Sequence, residues 1–246
     1  MKSSLCALAF VLVACGGGSA ESPPDHAADH PGAASHPEHA SSGGHAEHGR
    51  HHDFSEVERF AAIFDDPERD AWQKPDEILR LLELRDGLVV ADLGAGTGYF
   101  EPHLSRAVQA TGRVLALDVE PAMVAHMQTR FADAGLSNVE ARVVAPDDPG
   151  LAPESVDRIL IVDTWHHIDA RGDYAGLLRR ALRPGGYVLI VDFTSESPLG
   201  APARMRLSLD AVHDELSAGG LSAHLVDEDL PYQYVVRGDR DATPAE

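Results

Sequence analysis

One short stretch decides the fold of this chain: Val89-Val90-Ala91-Asp92-Leu93-Gly94-Ala95-Gly96-Thr97-Gly98. Its first half is apolar apart from one aspartate, which predicts a buried strand. The glycines that follow permit a tight turn and let backbone N–H groups approach a ligand closely. Ligands of parallel sheets bind at the carboxyl ends of the strands, so we expect a binding site at this loop.

From residue 53 to residue 246, apolar strands alternate with helices. The predicted strands cover residues 88–93, 114–118, 139–144, 158–163, 187–193, 223–226 and 232–236. Two helices, near residues 57–64 and 78–82, are expected before the first strand. Strands without polar alternation that are joined by helices indicate a parallel sheet covered on both faces. The sequence therefore predicts an α/β fold, a Rossmann-like, doubly wound, mostly parallel seven-stranded sheet with helices on both faces.

The composition limits the classes of function. Twenty Lys plus Arg against forty Asp plus Glu give a formal net charge of -20, which repels a phosphate backbone and argues against nucleic acid as a partner. The two cysteines, Cys6 and Cys15, both lie near the start of the chain. The rest of the chain therefore offers no thiol for a disulfide, a metal site or nucleophilic catalysis. These limits favour a small-molecule ligand.

Residues 1–15 resemble a bacterial lipoprotein signal peptide. Lys2 precedes an apolar run, and Leu12-Val13-Ala14-Cys15, followed by glycines, is similar to a lipobox. The resemblance implies cleavage before Cys15 and attachment of diacylglycerol to its sulfur. We expect a protein of the bacterial cell envelope that is lipid-anchored to a membrane and faces the periplasm.

Residues 16–52 are rich in Gly, Ser, Ala, Pro and His and lack apolar periodicity, which predicts a disordered tether. The tether holds many of the fourteen histidines of the chain, namely His26, His30, His36, His39, His45, His48, His51 and His52. Two interpretations stay open. Imidazoles at this spacing can bind divalent metal ions weakly, or the segment is a spacer that gains positive charge below about pH 6.5.

The glycine spacing and the second predicted strand point to an adenosine ligand. The loop reads G-x-G-x-G, whereas dinucleotide-binding enzymes carry G-x-G-x-x-G, which disfavours a nicotinamide-dependent oxidoreductase. The second strand ends at Asp118, where a carboxylate can accept hydrogen bonds from both ribose hydroxyls. The alternative is that Asp118 only caps the helix that follows.

Four motifs, in this order, resemble those of the class I S-adenosylmethionine-dependent methyltransferases. They are the glycine stretch quoted above, residues 114–118, residues 155–160 and Leu182-Arg183-Pro184-Gly185-Gly186. The resemblance covers residues 72–236 and implies S-adenosylmethionine as the cofactor of a methyltransferase domain over residues 53–246.

The resemblance also implies which residues hold that cofactor. The methionine part lies near Asp92 and the glycine loop, the ribose lies at Asp118, and the adenine lies near Val119 and Met123. Many relatives have Gly-Asp after the third strand, and Asp147 is our substitute for that acid. The predicted cofactor-binding residues are Gln73, Asp92, Gly94, Ala95, Gly96, Thr97, Gly98, Asp118, Val119, Met123, Asp147 and Asp163. Gln73 is included because its amide can bond the methionine carboxylate, with a plain turn as the equal alternative.

The predicted catalytic residues are His166 and His167, which follow the fourth strand. Methyl transfer is an in-line displacement, so holding the nucleophile close to the methyl carbon supplies much of the catalysis. An acceptor that must lose a proton also needs a base, and histidine titrates near neutrality. Adjacent residues leaving a strand point in different directions, so we expect His166 to face the acceptor and His167 to face the interior.

Two hypotheses for the function follow. The first is an S-adenosylmethionine-dependent methyltransferase that acts on a small molecule or an envelope component through oxygen, nitrogen or carbon. The alternative is a lipid-anchored, His-rich metal- or ligand-binding protein whose methyltransferase-like domain has lost turnover. Arsenic methylation of the kind that uses several cysteines is excluded because the domain has none. The loop 196–207, where acceptor specificity is expected, carries no readable motif.

Overall fold

A seven-stranded sheet organises the part of the chain that the computed structural model describes, residues 57–241. Its strands are β1 (Val89–Leu93), β2 (Arg113–Asp118), β3 (Val139–Val143), β4 (Val156–Val162), β5 (Leu182–Phe193), β6 (Ser222–Leu225) and β7 (Gln233–Asp239). Their order across the sheet is β3-β2-β1-β4-β5-β7-β6. Among these strands, β7 runs antiparallel to both β5 and β6, and the other neighbouring pairs are parallel. The predicted fold class is confirmed.

Helices cover both faces of this sheet. They are α1 (Val57–Phe64), α2 (Arg69–Gln73), α3 (Pro75–Leu82), α4 (Glu101–Val108), α5 (Pro121–Asp133), α6 (Arg171–Ala181) and α7 (Leu209–Ala218). One face buries side chains of α3, α4 and α5, and the other buries side chains of α6 and α7. Two apolar layers therefore enclose the central strands, as their unbroken apolar sequences predict.

Some predicted boundaries are wrong. Three helices precede β1 instead of two, because Lys74 adopts a φ of 45° that ends α2 and Pro75 then begins α3. The helix after the glycine loop begins at Glu101, since Gly98 still has a φ of 85°. The fifth strand begins at Leu182, which already pairs with Val156.

The sheet has a topological switch point at β1. β2 and β3 lie on one side of β1, and β4 and β5 lie on the other. The loops that leave the carboxyl ends of β1 and β4 therefore open a crevice between them, which is where ligands of such sheets bind. Gly94 follows β1 at this edge, Val119 follows β2 and Asp163 follows β4.

The predicted signal peptide, residues 1–15, and the predicted tether, residues 16–52, lie outside the described residues. Within residues 57–241, no helix combines the length and the apolar character needed to cross a membrane.

Candidate functional site

The glycine loop is pressed against two neighbouring elements. Gly94, Gly96 and Gly98 have φ values of 75°, 58° and 85°, a region that side chains disfavour. A Cβ atom on Gly94 would lie 2.2 Å from Thr164 Oγ1, and one on Gly98 would lie 2.7 Å from the Phe131 ring. The glycines therefore allow the loop to pack closely against the end of β4 and against α5.

Most amides of the loop form hydrogen bonds within the protein. The N–H groups of Gly94 and Ala95 both donate to the Leu117 carbonyl, and that of Gly98 donates to the Ala95 carbonyl. The Thr97 side chain is buried and donates to Asp65. These three amides are therefore engaged within the protein, and the close approach of loop N–H groups to a ligand stays a prediction. The glycines of the loop fix the shape of the turn.

Asp118 joins the glycine loop to the end of β2. One of its carboxylate oxygens accepts the Gly96 N–H at 2.8 Å, and the other accepts the Glu120 N–H at 2.9 Å. Burial raises the pKa of Asp118, while these backbone hydrogen bonds act in the opposite direction. Each oxygen keeps a free lone pair, so the carboxylate can still accept ribose hydroxyls. The predicted ribose contact stays a prediction.

A pair of buried carboxyl groups lies beneath the loop. Glu101, the first residue of α4, is fully buried, and within residues 57–241 neither of its oxygens finds a hydrogen-bond donor. Its neighbour is Asp92 at the end of β1, and burial raises the pKa of Asp92 to about 7. Burial, followed by the charge of Asp92, also raises the pKa of Glu101 well above its ordinary value. Two neighbouring buried carboxyl groups cannot both stay ionised, so we expect one proton to be shared between them.

A chain of amides crosses the crevice from α2 to β4. Gln73 accepts from the Arg69 guanidinium at 3.0 Å and donates to Gln233 at 2.7 Å. Gln233, the first residue of β7, donates in turn to Asp163 at 2.7 Å. Both polar atoms of the Gln73 amide are therefore engaged. The Gln73 nitrogen keeps a second hydrogen, and its contact with a ligand carboxylate stays a prediction.

Arg69 is the cation of this crevice. Its guanidinium stacks on the Tyr99 ring at 4.0 Å and donates to the Phe64 carbonyl. It forms no ion pair with a carboxylate of residues 57–241, although Asp163 and Asp92 act on its charge. An arginine in this state presents donors for a carboxylate of a ligand.

Asp163 lies where β4 ends, with a φ of 52°. Burial, and then the nearby charge of Asp192, raise the pKa of Asp163 to about 7. Its side chain accepts from Gln233, as described above. The structure thus places Asp163 at the crevice, as predicted, and its contact with a cofactor stays a prediction.

The two histidines are buried in the reverse of the expected order, with His166 the more buried. The His166 side chain is only 2% exposed, and its Nδ1 lies 2.9 Å from a carboxylate oxygen of Asp192, itself 1% exposed. His167 is the more exposed of the pair, and the two imidazole rings lie 4.2 Å apart. Asp192, near the end of β5, supplies a buried partner for Nδ1 of His166, which accounts for the burial of the ring. The catalytic roles of both residues stay predictions.

The side of the crevice where the adenine is expected has an apolar rim. Val119, after β2, and Val143, at the end of β3, are 43% and 50% exposed. Met123 is buried on α5. Asp147 lies in an exposed turn after β3. These positions leave the predicted adenine contacts open to test. Within the described residues, no group of three or more His, Cys, Asp or Glu side chains is arranged to hold a metal ion.

Four site residues were not predicted from the sequence: Arg69, Glu101, Asp192 and Gln233. No motif marks them, because each reaches the site from an element outside the glycine loop and the β4 end. Asp192 had one readable signal, since it is an acid at the carboxyl end of an otherwise apolar strand. Gln233 had none.

Comparisons with known proteins agree with this geometry. Residues 90–186 match the model of a family described as "Methyltransferase domain". That stretch therefore resembles a methyltransferase domain. It contains the glycine loop, Asp118 and the histidine pair.

The methyltransferase domain also resembles individual proteins. A crystal structure of a SAM dependent methyltransferase from Aquifex aeolicus is 28% identical, with a TM-score of 0.70 over 77% of this chain and 99% of that chain. The ubiquinone/menaquinone biosynthesis C-methyltransferase UbiE of Hydrogenovibrio crunogenus is 24% identical over 66% of this chain and 62% of its own length. The corresponding protein of Azotobacter vinelandii is 30% identical over 48% and 47%. The chain thus spans less than two thirds of these curated relatives.

Together, the fold and these matches support the class I methyltransferases as the family and S-adenosylmethionine as the cofactor.

Proposed function

We propose that this protein transfers a methyl group from S-adenosylmethionine to a small-molecule acceptor in the crevice between β1 and β4. The observation that carries the proposal is the contact between Asp118 and the amide of Gly96. It holds an acid of the kind that binds ribose against the glycine loop, at the switch point of the sheet. The support from a methyltransferase family model and a similar solved structure is independent of this contact.

The residues present fit the cofactor. Asp118 offers lone pairs to the ribose, and the exposed Val119 and Val143 side chains offer an apolar surface to the adenine. Arg69 offers donors to the methionine carboxylate. Asp92 and Glu101 offer negative charge to the methionine ammonium once their shared proton leaves. When bound, S-adenosylmethionine supplies an electrophilic methyl group on a sulfonium centre.

The acceptor side of the crevice is formed by the end of β4, with His166 and His167, and by the loop after β5. Its acceptor is methylated on oxygen, nitrogen or carbon. The curated relatives are named as C-methyltransferases of quinone biosynthesis, which makes a quinol the first acceptor to test. An envelope component is a second source of acceptors, because we also propose that the chain is lipid-anchored through Cys15 and faces the periplasm.

A titration followed by an acceptor screen tests this function. Calorimetry of the full chain with S-adenosylmethionine and with S-adenosylhomocysteine should show one binding site for each. Transfer of a labelled methyl group is then measured on a hydroquinone, a phenol, a primary amine and a tertiary amine. Binding with transfer to one of these compounds is expected. Failure to bind either form of the cofactor contradicts the proposal, and so does binding without transfer to any acceptor.

A further inference from the structure

Asp192 and His166 form a buried pair beside the acceptor side of the crevice. Nδ1 of His166 lies 3.0 and 2.9 Å from the two carboxylate oxygens of Asp192. One of those oxygens also accepts the Phe193 N–H at 2.8 Å, which fixes the orientation of the carboxylate. The two side chains are 2% and 1% exposed, so water does not compete with the contact. The carboxylate is therefore held in place from two directions.

This contact decides the tautomer of His166. A carboxylate accepts hydrogen bonds, so Nδ1 must carry the proton that it donates. Nε2 then has a lone pair, and among residues 57–241 nothing donates a hydrogen bond to it. A ligand that reaches Nε2 can supply a donor for this lone pair.

His166 belongs to the same crevice as the glycine loop. Thr164, two residues before it, packs against Gly94, where any side chain would clash. Asp163, three residues before His166, accepts from Gln233 and so joins the amide chain that leads to Arg69. The pair is thus connected to both walls of the crevice.

We propose that Asp192 is a positioning residue that holds His166 in the Nδ1–H tautomer, so that Nε2 accepts a proton from the methyl acceptor. The inference rests on the proposed function and adds a substrate class. The acceptor is one whose methylated atom carries a proton, such as a phenol, a carbon acid or a primary amine. Acceptors without that proton, such as tertiary amines, are not substrates of this base.

Proton transfer to His166 and methyl transfer to the acceptor together conserve atoms and electrons. Nε2 of His166 forms an N–H bond with the proton of the acceptor, and the bond from that proton to the acceptor atom breaks. The electron pair of the broken bond stays on the acceptor atom and forms its bond to the methyl carbon. The electron pair of the carbon–sulfur bond stays on sulfur. Asp192 keeps its hydrogen bond to Nδ1 throughout and stabilises the imidazolium that results.

Replacing Asp192 by Asn should reverse the tautomer. The Asn oxygen is retained by the Phe193 N–H, so its NH₂ group faces Nδ1 of His166. Nδ1 must then accept, the ring proton moves to Nε2, and the base is lost. The variant differs from the parent by one atom, so its fold should be kept. General base catalysis contributes about 10²- to 10⁴-fold, and turnover should fall by that factor.

The test reads the tautomer directly. The full chain is labelled with ¹⁵N-histidine, and the imidazole spectrum is recorded at about pH 8, above the ordinary histidine pKa of about 6.5. Loss of one signal set in His166→Gln assigns the residue. The matched control is Asp214→Asn, because Asp214 pairs with His213 at 3.1 Å on the exposed face of α7. Cofactor affinity is measured in parallel by calorimetry, and turnover is measured on the four acceptors named above.

The proposal expects Nδ1–H in the parent, Nε2–H in Asp192→Asn with an unchanged Kd for the cofactor, and no change at His166 in Asp214→Asn. It is overturned by an Nε2–H tautomer in the parent, by full turnover in a variant whose tautomer has switched, or by preferred methylation of the tertiary amine. The parent spectrum, assigned with His166→Gln, decides the tautomer even if Asp192→Asn does not fold. Absence of cofactor binding contradicts the proposed function instead, and the spectrum still decides the role of Asp192.

Discussion

Substitution of Asp118 tests the proposed cofactor site. The carboxylate is bonded to Gly96 and Glu120 and keeps lone pairs for the ribose, so Asp118→Ala removes hydrogen bonds to a charged group. We expect a loss of about 1.5 to 3 kcal/mol in cofactor binding, measured by calorimetry. Asp118→Asn should lose less, since it keeps one acceptor oxygen. Asp133→Ala, on the exposed side of α5, should not change affinity, and equal affinity in Asp118→Ala would contradict the ribose assignment.

Glu101 makes stability depend on pH in a direction opposite to that of an ordinary surface acid. The pKa of Glu101 is raised in the folded state. Its contribution to the free energy of unfolding is therefore complete below its unfolded pKa near 4.5 and is lost as pH rises through the folded pKa. Glu101→Gln keeps the shape and adds a donor for Asp92. We expect this variant to melt above the parent at about pH 8 and at the same temperature near pH 4.5.

A matched control for Glu101 lies on α3. A hydrogen bond from Arg80 lowers the pKa of Glu77, so Glu77→Gln should reduce stability at neutral pH, the opposite sign. The melting temperatures of both variants and the parent are measured across the same pH series. A parent whose stability does not fall between pH 4.5 and about pH 8 contradicts the shared proton of Asp92 and Glu101.

The residues of the site were only partly predictable. Asp118 and the glycine loop follow from local sequence, because a strand end and a turn fix where they lie. The orientation of His166 does not, since it depends on Asp192, which is 26 residues away in the chain. Gln73 contacts both Arg69 and Gln233, and Gln233 lies 160 residues after Gln73 in the chain. Folding of the sheet creates this contact, so local sequence does not predict it.

The loop between β5 and α7 is an element held by one side chain. Arg206 donates to the backbone carbonyls of Thr194, Ser195, Ser197, Leu199 and Ala201, with distances from 2.7 to 3.2 Å. This loop includes the segment in which acceptor specificity was expected. No local motif predicts the shape of this loop. The five carbonyls that accept from one guanidinium can lie at any spacing in the sequence.

Arg206→Ala should release that loop. We expect cleavage between residues 194 and 206 in limited proteolysis and a loss of about 1 to 3 kcal/mol in stability, because several carbonyls lose a charged donor. Arg206→Lys should rescue only part of the protection, since an ammonium lacks the planar fork. Arg204→Ala, an exposed neighbour, is the control and should resist protease like the parent. Equal protease resistance in Arg206→Ala would show that Arg206 does not order the loop.

Strands were predicted well where the sequence is apolar over several consecutive residues. β1, β2 and β4 are buried strands at or near their predicted bounds, since central parallel strands need apolar residues on both faces. α2 was missed because five residues are too few for a period to be visible. Its left-handed end at Lys74 is set by packing and not by a glycine.

For the whole molecule, we propose that a leader, residues 1–15, directs the export of the domain that carries the methyltransferase fold. The domain is acidic, with a net charge of -20 for the full chain, so its attachment to an anionic membrane surface cannot be electrostatic. A lipid anchor solves this problem by burying acyl chains, at about 0.8 kcal/mol per methylene, and two or more chains hold a soluble domain stably.

Labelling of cysteine variants with a fatty-acid analogue tests the proposed lipid anchor. The lipobox-like run ends at Cys15, whereas Cys6 lies in the apolar run before it, so the two cysteines form a matched pair. When the native host is grown with a clickable fatty-acid analogue, label is expected on the parent and on Cys6→Ser but not on Cys15→Ser. The parent should fractionate with membranes and begin at Cys15, because lipidation is coupled to cleavage there. Equal labelling of Cys15→Ser, or a mature chain that begins at another residue, would rule out this anchor and leave the methyltransferase domain without an assigned membrane contact.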